Sequence, residues 1–416
     1  MNSVESNNKK ITFMMNQVRK NHRLIFVFCI FLNLPIFAQQ HLLPYSNYFQ
    51  LREGISNTYS QIKKGTTTVA FLGGSITYGP GWRDSVCQYL QKRFPKTKFH
   101  FINAGIPSLG SLPAAFRFQR DVLDSGKIDL LFIEAAVNDC VNETDSITQV
   151  RSLEGIVRHA RKKNPKIDII LMSFAGPEKL KDYGEGRIPT AVGNHELVAK
   201  HYHLPSINLA KEVYDKIKAG EFSWEKDFKD VHPSPFGHKI YFHTINELLG
   251  KCFDKAKIRS AKEISYTLPP PLNRWSFENG KYFPIQKVHL QKGWKLVENW
   301  QPKDKVQTRE GFVNRPILEA TMPGASLSLT FKGTAIGIAI VAGPDAGEIG
   351  YSIDGKIYHI VDLYTQWSSQ IYLPWYVLFA GNLENKNHVL QLRISKDKNP
   401  KSEGTACRIV YFLLNN

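Results

Sequence analysis

The stretch TVAFLGGSITYGPGWRDSVCQYLQKRF, residues 68 to 94, decides the fold. Its first six residues are apolar or small without alternation, the mark of a strand buried on both faces. Gly73 and Gly74 end that run, and from Trp82 onward apolar residues recur at helical spacing. A buried strand that turns through glycines into an amphipathic helix is half of a βαβ unit, the repeat of a parallel sheet. At the turn stands a lone hydroxyl, Ser75. A strand stop needs only the glycines. Ser75 is therefore either a helix N-cap, for which serine is among the best residues, or a group with chemistry of its own.

Outward from this unit the same texture continues to about Gly250. The apolar runs FHFIN, IDLLFIEAAV, IDIILMSFA and LPSINLA alternate with SITQVRSLEGIVRHARKK, NHELVAKHYH and HKIYFHTINELLG, which carry apolar residues at helical spacing. This predicts an α/β domain over residues 39–266, with ligands outside the carboxyl ends of its strands. Near Thr267 the texture changes. LPPPLN is a stiff, strand-incompatible spacer, and beyond it ASLSLTF, AIGIAIVAG, EIGYSIDG, KIYHIVDLY, HVLQLRI and ACRIVYFLL are strand-rich and bounded by turns such as Asp354-Gly355. Residues 267–416 are expected to form an all-β module, a sandwich of two sheets.

At 416 residues with 42% hydrophobic and 12% aromatic content, the chain has the composition of a packed protein, which excludes disorder. Residues 1–38 place Lys9, Lys10, Arg19, Lys20 and Arg23 before the apolar run LIFVFCIFLNLPIFA, which ends at Ala38. That order is the order of a secretory leader; Asn33 and Pro35 make the run short for a membrane anchor. The expectation is a secreted or periplasmic protein with no stable membrane span after cleavage. Setting the leader aside removes five basic residues and one acidic, so the formal charge falls from +17 to +13. No nucleic-acid motif accompanies this charge, so a solvated basic surface or attraction to anionic glycans is expected rather than a nucleic-acid partner. Cys87, Cys140, Cys252 and Cys407 remain, enough for two bridges or for unpaired buried thiols, and no CxxC spacing suggests a metal.

A serine becomes a nucleophile only if a base takes its proton and donors hold the oxyanion. At the ends of the next strands stand FINAGIPSLG and IEAAVNDC: Gly105 offers a backbone N–H, and Asn138 a side-chain amide, as donors beside the N–H of Ser75. KDVHPSPFGH, before the last helix, supplies His232 as a base. In order and spacing, GGSIT, NAG, VND and DVHP resemble the four blocks of the SGNH, or GDSL-type, hydrolases over roughly residues 66 to 250. The resemblance implies a flavodoxin-like three-layer α/β/α fold and ester hydrolysis without a metal or other cofactor. It further implies that Ser75 attacks, His232 relays the proton, and Gly105 with Asn138 completes the oxyanion hole.

Two positions depart from the family pattern. Gly74 stands where the first block usually has aspartate, as in a GGSIT version seen among secreted bacterial members. Three residues before the histidine, where the family has its aspartate, is Lys229. Asp230 is the nearest carboxylate and is taken as the orienter of His232, with Asp227 or a backbone carbonyl as the alternatives.

Other residues suggest less. HELVA, residues 195 to 199, lacks the second histidine of a zinc-protease motif, so His195, His201 and His203 read as structural, as does His238. Asp139 is expected to fix its loop, and Glu134, inside an apolar strand, is a candidate for a shifted carboxylate. Trp367, Trp375 and Tyr376 in the β module are either core or a platform for sugar rings, and the module resembles the jelly-roll accessory modules of secreted carbohydrate esterases. The expected function is a serine esterase removing acetyl or similar acyl groups from a polysaccharide or oligosaccharide. The alternatives are a lipase-like or thioester-cleaving hydrolase and an inactive glycan-binding protein.

Overall fold

The computed structural model describes residues 42–258, 263–309 and 311–416, so the leader read at residues 1–38 lies outside the described residues. Six strands form the first sheet: β1 (Phe49–Gln50), β2 (Thr66–Gly73), β3 (Lys98–Gly105), β4 (Leu130–Glu134), β5 (Asp168–Ser173) and β6 (Ser206–Asn208), in the order β1-β6-β5-β4-β2-β3. Strands β2 to β6 are parallel, and β1 adds an antiparallel edge. Counted alone, the parallel strands run 2-1-3-4-5, the flavodoxin-like order.

The unbroken apolar run of β2 follows from burial on both faces. Ala70 and Leu72 face a core shared with the helices Ser111–Asp121, Ser146–Lys163 and Thr190–His201. Val69 and Phe71 face the other, shared with Ser56–Lys64, Trp82–Arg93, Leu209–Lys218 and Pro235–Ile258. From β2 the chain first adds β3 on one side and then crosses to β4 on the other. The crevice of such a sheet therefore opens beyond the ends of β2 and β4. Ser75 and Asn138 follow these two strands.

The second half is a sandwich. One sheet has the order His359–Asp362, Glu348–Ile353, Lys386–Ile394, Ser326–Gly333, His289–Lys292. The other runs Gln307–Thr308, Ile371–Ala380, Ala335–Ala342, Cys407–Asn415, Ile317–Ala320, Lys295–Val297, with Gly280–Phe283 also paired to Cys407–Asn415. Leu327, Leu329, Ile338, Ile340, Leu390, Leu392 and Ile409 belong to the core between them.

The LPPPLN spacer is fastened down. Arg158 donates to the carbonyl of Pro269 (2.8 Å), and Glu154 accepts the N–H groups of Leu272 (2.5 Å) and Asn273 (2.9 Å). Phe277 then lies tilted against Phe116 in a buried cluster that runs on into the sandwich through Ala339 and Leu413, and Arg120 donates to the hydroxyl of Tyr411 in the last strand (3.0 Å). The sandwich is thereby held against the helical layer. Cys87, Cys140, Cys252 and Cys407 are unpaired, so neither bridge forms, and among the described residues no helix is long and apolar enough to cross a membrane.

Candidate active site

Beyond the ends of β2 and β4 lies a cleft of about 420 Å³ whose lining includes Ser75, Asn138 and His232. Ser75 opens the short helical turn Ser75–Tyr78, and its Oγ lies 2.8 Å from Nε2 of His232, 157 residues away. A hydroxyl within hydrogen-bond reach of an imidazole is the geometry of nucleophile and general base. Asn138 arrives on the helical turn Ala136–Val141 and is 8% exposed, yet its carboxamide makes no hydrogen bond within the described residues. A methyl group built on Gly74 would overlap its Nδ2, so the amide is seated directly over the residue before the serine. A buried, unspent donor at that place suits a charge that develops during reaction.

Gly105 is placed differently from its expected role. It closes β3 opposite Gly73, its N–H donates to Asn103 Oδ1 (3.0 Å), and it does not line the cleft. The loop after β3 instead reaches the site through Ser108, held in a left-handed conformation (φ 69°) by the bond from Asn142 Nδ2 to its carbonyl (2.8 Å). Gly110, two residues on, abuts the backbone of Asn138 and Asp139. Both NAG and LGS offer a glycine, and the sequence does not say which one meets the serine.

Asp230 also departs from expectation. Its Oδ1 accepts the backbone N–H of His232 (2.6 Å) and stands 3.8 Å from Nδ1, beyond hydrogen-bonding distance. Both side chains are more than half exposed, 69% and 63%. The carboxylate therefore props the histidine through its main chain. Just upstream, Trp224–Phe228 form one π-helical turn and Lys229 follows at φ 84°, ψ −69°. The aspartate comes two places before the histidine rather than three, and at that spacing its carboxylate meets the main-chain N–H. Of the alternatives, Asp227 is occupied by Ser223, accepting from its N–H (2.8 Å) and its hydroxyl (3.2 Å). Among the described residues no carbonyl accepts from His232 Nδ1.

Part of the cleft wall comes from the sandwich: Arg309, Trp367, Ile371 and Leu373 face Pro177, Glu178 and Val231. The Trp367 segment is tied to the Asn138 turn, because Gln366 Nε2 donates to the carbonyl of Val141 (3.2 Å). The side chain of Arg309 makes no hydrogen bond or ion pair with a described residue, and its Nε is buried. Tyr376, by contrast, is core, sharing a hydroxyl bond of 2.5 Å with Tyr282, and Trp375 packs against the core between the sheets. His195 is buried and satisfied on both nitrogens, by Ala191 O (2.8 Å) and the N–H of Ala135 (3.3 Å), and burial lowers its pKa to about 4. His238 accepts from the N–H of Trp82 (3.3 Å), which fits a structural role.

Residues 71–240 match the model of the GDSL-like lipase/acylhydrolase family. The match runs from within β2 into the helix Pro235–Ile258, less than half of the chain. With the Ser75–His232 geometry, that match supports an ester hydrolase of the serine type, and the four-block resemblance read from GGSIT to DVHP lies almost wholly inside the matched residues. A two-domain esterase active on acetylated mannans, crystallised with mannopentaose, matches over 89% of this chain and 98% of its own at 22% identity and a TM-score of 0.72. The same esterase without that ligand gives 0.68 at 22% identity over 89% and 98%. An acetylxylan esterase from Geobacillus stearothermophilus matches 44% of this chain and 94% of its own, at 19% identity and a TM-score of 0.36. No curated protein matches the sequence. The first likeness extends through both halves, so the pairing of acylhydrolase domain and sandwich is a shared architecture.

Proposed function

We propose that the acylhydrolase removes acetyl or similarly small acyl groups from a polysaccharide or its oligosaccharides through an acyl-enzyme. The observation that carries this reading is the 2.8 Å contact between Ser75 Oγ and His232 Nε2 in a cleft walled partly by the sandwich. As Ser75 Oγ bonds to the ester carbonyl carbon, its proton passes to His232 Nε2. The carbonyl oxygen, now an anion, accepts from the Asn138 amide and the N–H of Ser75. Collapse of the intermediate breaks the bond to the sugar oxygen, which leaves with the proton from His232. Water then repeats the sequence, freeing acetate and restoring Ser75.

The carbohydrate side of the proposal is supported by the match in both domains to an esterase active on acetylated mannans, and by Trp367 in the wall of the same cleft as the nucleophile. Acetate release from acetylated mannan and xylan oligosaccharides is the test, run with Ser75→Ala and His232→Ala. The wild type should release acetate and both variants should not; release by Ser75→Ala at the wild-type rate would end the proposal. Val137, Val141, Val231, Ile371 and Leu373 also give the cleft an apolar lining, which is the observation favouring a lipase-like reading. A rate that rises from p-nitrophenyl acetate to the octanoate would select that reading. Secretion is proposed as well, from the basic, apolar and small order of residues 1–38, and N-terminal sequencing of the exported protein should begin near Gln39.

A further inference from the structure

The Asn138 carboxamide has no hydrogen bond of its own to hold it, so its aim depends on the backbone that carries it. Glu134, the last residue of β4 and 2% exposed, sits under that backbone. Its Oε1 accepts the N–H of Val137 (3.2 Å), the residue before Asn138, and the N–H of Phe174 (3.3 Å) in the loop after β5. Its main-chain carbonyl lies against Gly73, where a built Cβ would stand 3.1 Å from it. One residue thus touches the segments that carry the nucleophile, the amide donor and the loop after β5. On the far side of Asn138, Asp139 Oδ1 accepts the N–H (2.7 Å) and hydroxyl (3.0 Å) of Ser111.

A buried anion beneath an oxyanion site would oppose the charge that forms there unless it is balanced. Lys179, 1% exposed on the helix Pro177–Gly184, is the first cation that acts on it, and its Nζ has no hydrogen-bond partner among the described residues. Burial pushes the Glu134 carboxyl up to about 7, and the ammonium of Lys179 pulls it back down. Burial lowers Lys179 in turn, with Glu134 the first of the acids opposing that.

We propose that Glu134 is a positioning residue for the reaction, fixing the Val137–Asn138 peptide so that the Asn138 amide points over Gly74 at the oxygen of the reacting carbonyl. The inference rests on the reading of Asn138 as the oxyanion donor. Its test is a double-mutant cycle on the full chain with p-nitrophenyl acetate, combining Glu134→Ala, Glu134→Asp and Glu134→Gln with Asn138→Ala. Glu134→Ala should lower kcat by about 30-fold or more with KM within about threefold, the pattern of an interaction made only in the transition state. Glu134→Gln keeps an oxygen for both N–H groups and should recover kcat to within about tenfold of wild type. With Asn138 already alanine, losing Glu134 should cost less than about threefold more, because residues acting through one another are not additive. Should Glu134→Ala not fold, Glu134→Asp, one methylene too short to reach both N–H groups, enters the same cycle with the same expectation. Equal losses in both backgrounds, a glutamine no better than alanine, or an unchanged kcat would overturn the proposal. Asn138→Ala with wild-type kcat would overturn the donor assignment and this inference together, whereas a crippled Asn138→Ala with additive losses would overturn this inference alone.

Discussion

A methyl group on Gly74 would overlap the amide nitrogen of Asn138, so the bare residue before the serine is what lets the two approach. Gly74→Ala should push the amide aside and lower kcat on p-nitrophenyl acetate about 10²-fold, as losing an oxyanion donor does; a kcat within threefold of wild type would show the amide is not used. Asp230 allows a finer discrimination, because its oxygen holds the main-chain N–H of His232 rather than the ring. Asp230→Asn retains that acceptor and should keep most of the activity, while Asp230→Ala should lose about tenfold or more through a mispositioned base. Equal losses in the two variants would mean that the carboxylate charge matters after all. Ser75, Asn138 and His232 were legible because the first two follow readable strands and the third precedes a readable helix. The role of Asp230 was not, since whether its carboxylate meets the ring or the main-chain N–H of His232 leaves no mark in composition or spacing.

Among the elements, the helix Ser146–Lys163 was legible to its ends. Asp145 caps it through the N–H of Thr148 (2.9 Å), and Arg161, Lys162 and Lys163 close it where cations suit the helix dipole. The helix Ser111–Asp121 was not, because Ser111 to Phe118 are all buried and no polar face marks its period. Strand Ile371–Ala380 was hidden by Pro374, which is tolerated because the neighbouring strand Gln307–Thr308 pairs only as far as Tyr372. The helices Leu209–Lys218 and Pro235–Ile258 meet through a buried bond from the Thr244 hydroxyl to Glu212 (2.6 Å), and burial pushes the Glu212 carboxyl up to about 8 from 4.5. A carboxyl with a raised folded pKa keeps its proton where the unfolded chain has lost it, so its contribution falls as pH rises from about 4.5 to 8. Glu212→Gln removes this titration. In urea denaturation at pH 5 and pH 8.5 the glutamine variant should gain on wild type at the higher pH, and a difference that does not change with pH would refute the assignment.

At the scale of the molecule, the two halves share one functional surface, which neither half's own sequence texture announces. Arg309, Trp367, Ile371 and Leu373 belong to a module whose residues lie far along the chain from Ser75, and only the docking of the spacer and of Phe277 brings them to the cleft. Nothing local in VDLYTQWSSQIYLPWY separates Trp367, at the cleft, from Tyr376, in the core. Trp367 is 39% exposed, enough to offer an apolar face to a sugar. A contact of that kind is worth about 1 kcal/mol, or roughly fivefold in affinity. It bears on a glycan and not on a nitrophenyl ester, which reaches the nucleophile without spanning the wall. Trp367→Ala should therefore raise KM for an acetylated oligosaccharide by about fivefold while leaving kcat/KM for p-nitrophenyl acetate within twofold. Equal losses on both substrates would mean that the sandwich only braces the catalytic domain. Unchanged kinetics on both would mean that the glycan lies elsewhere along the cleft.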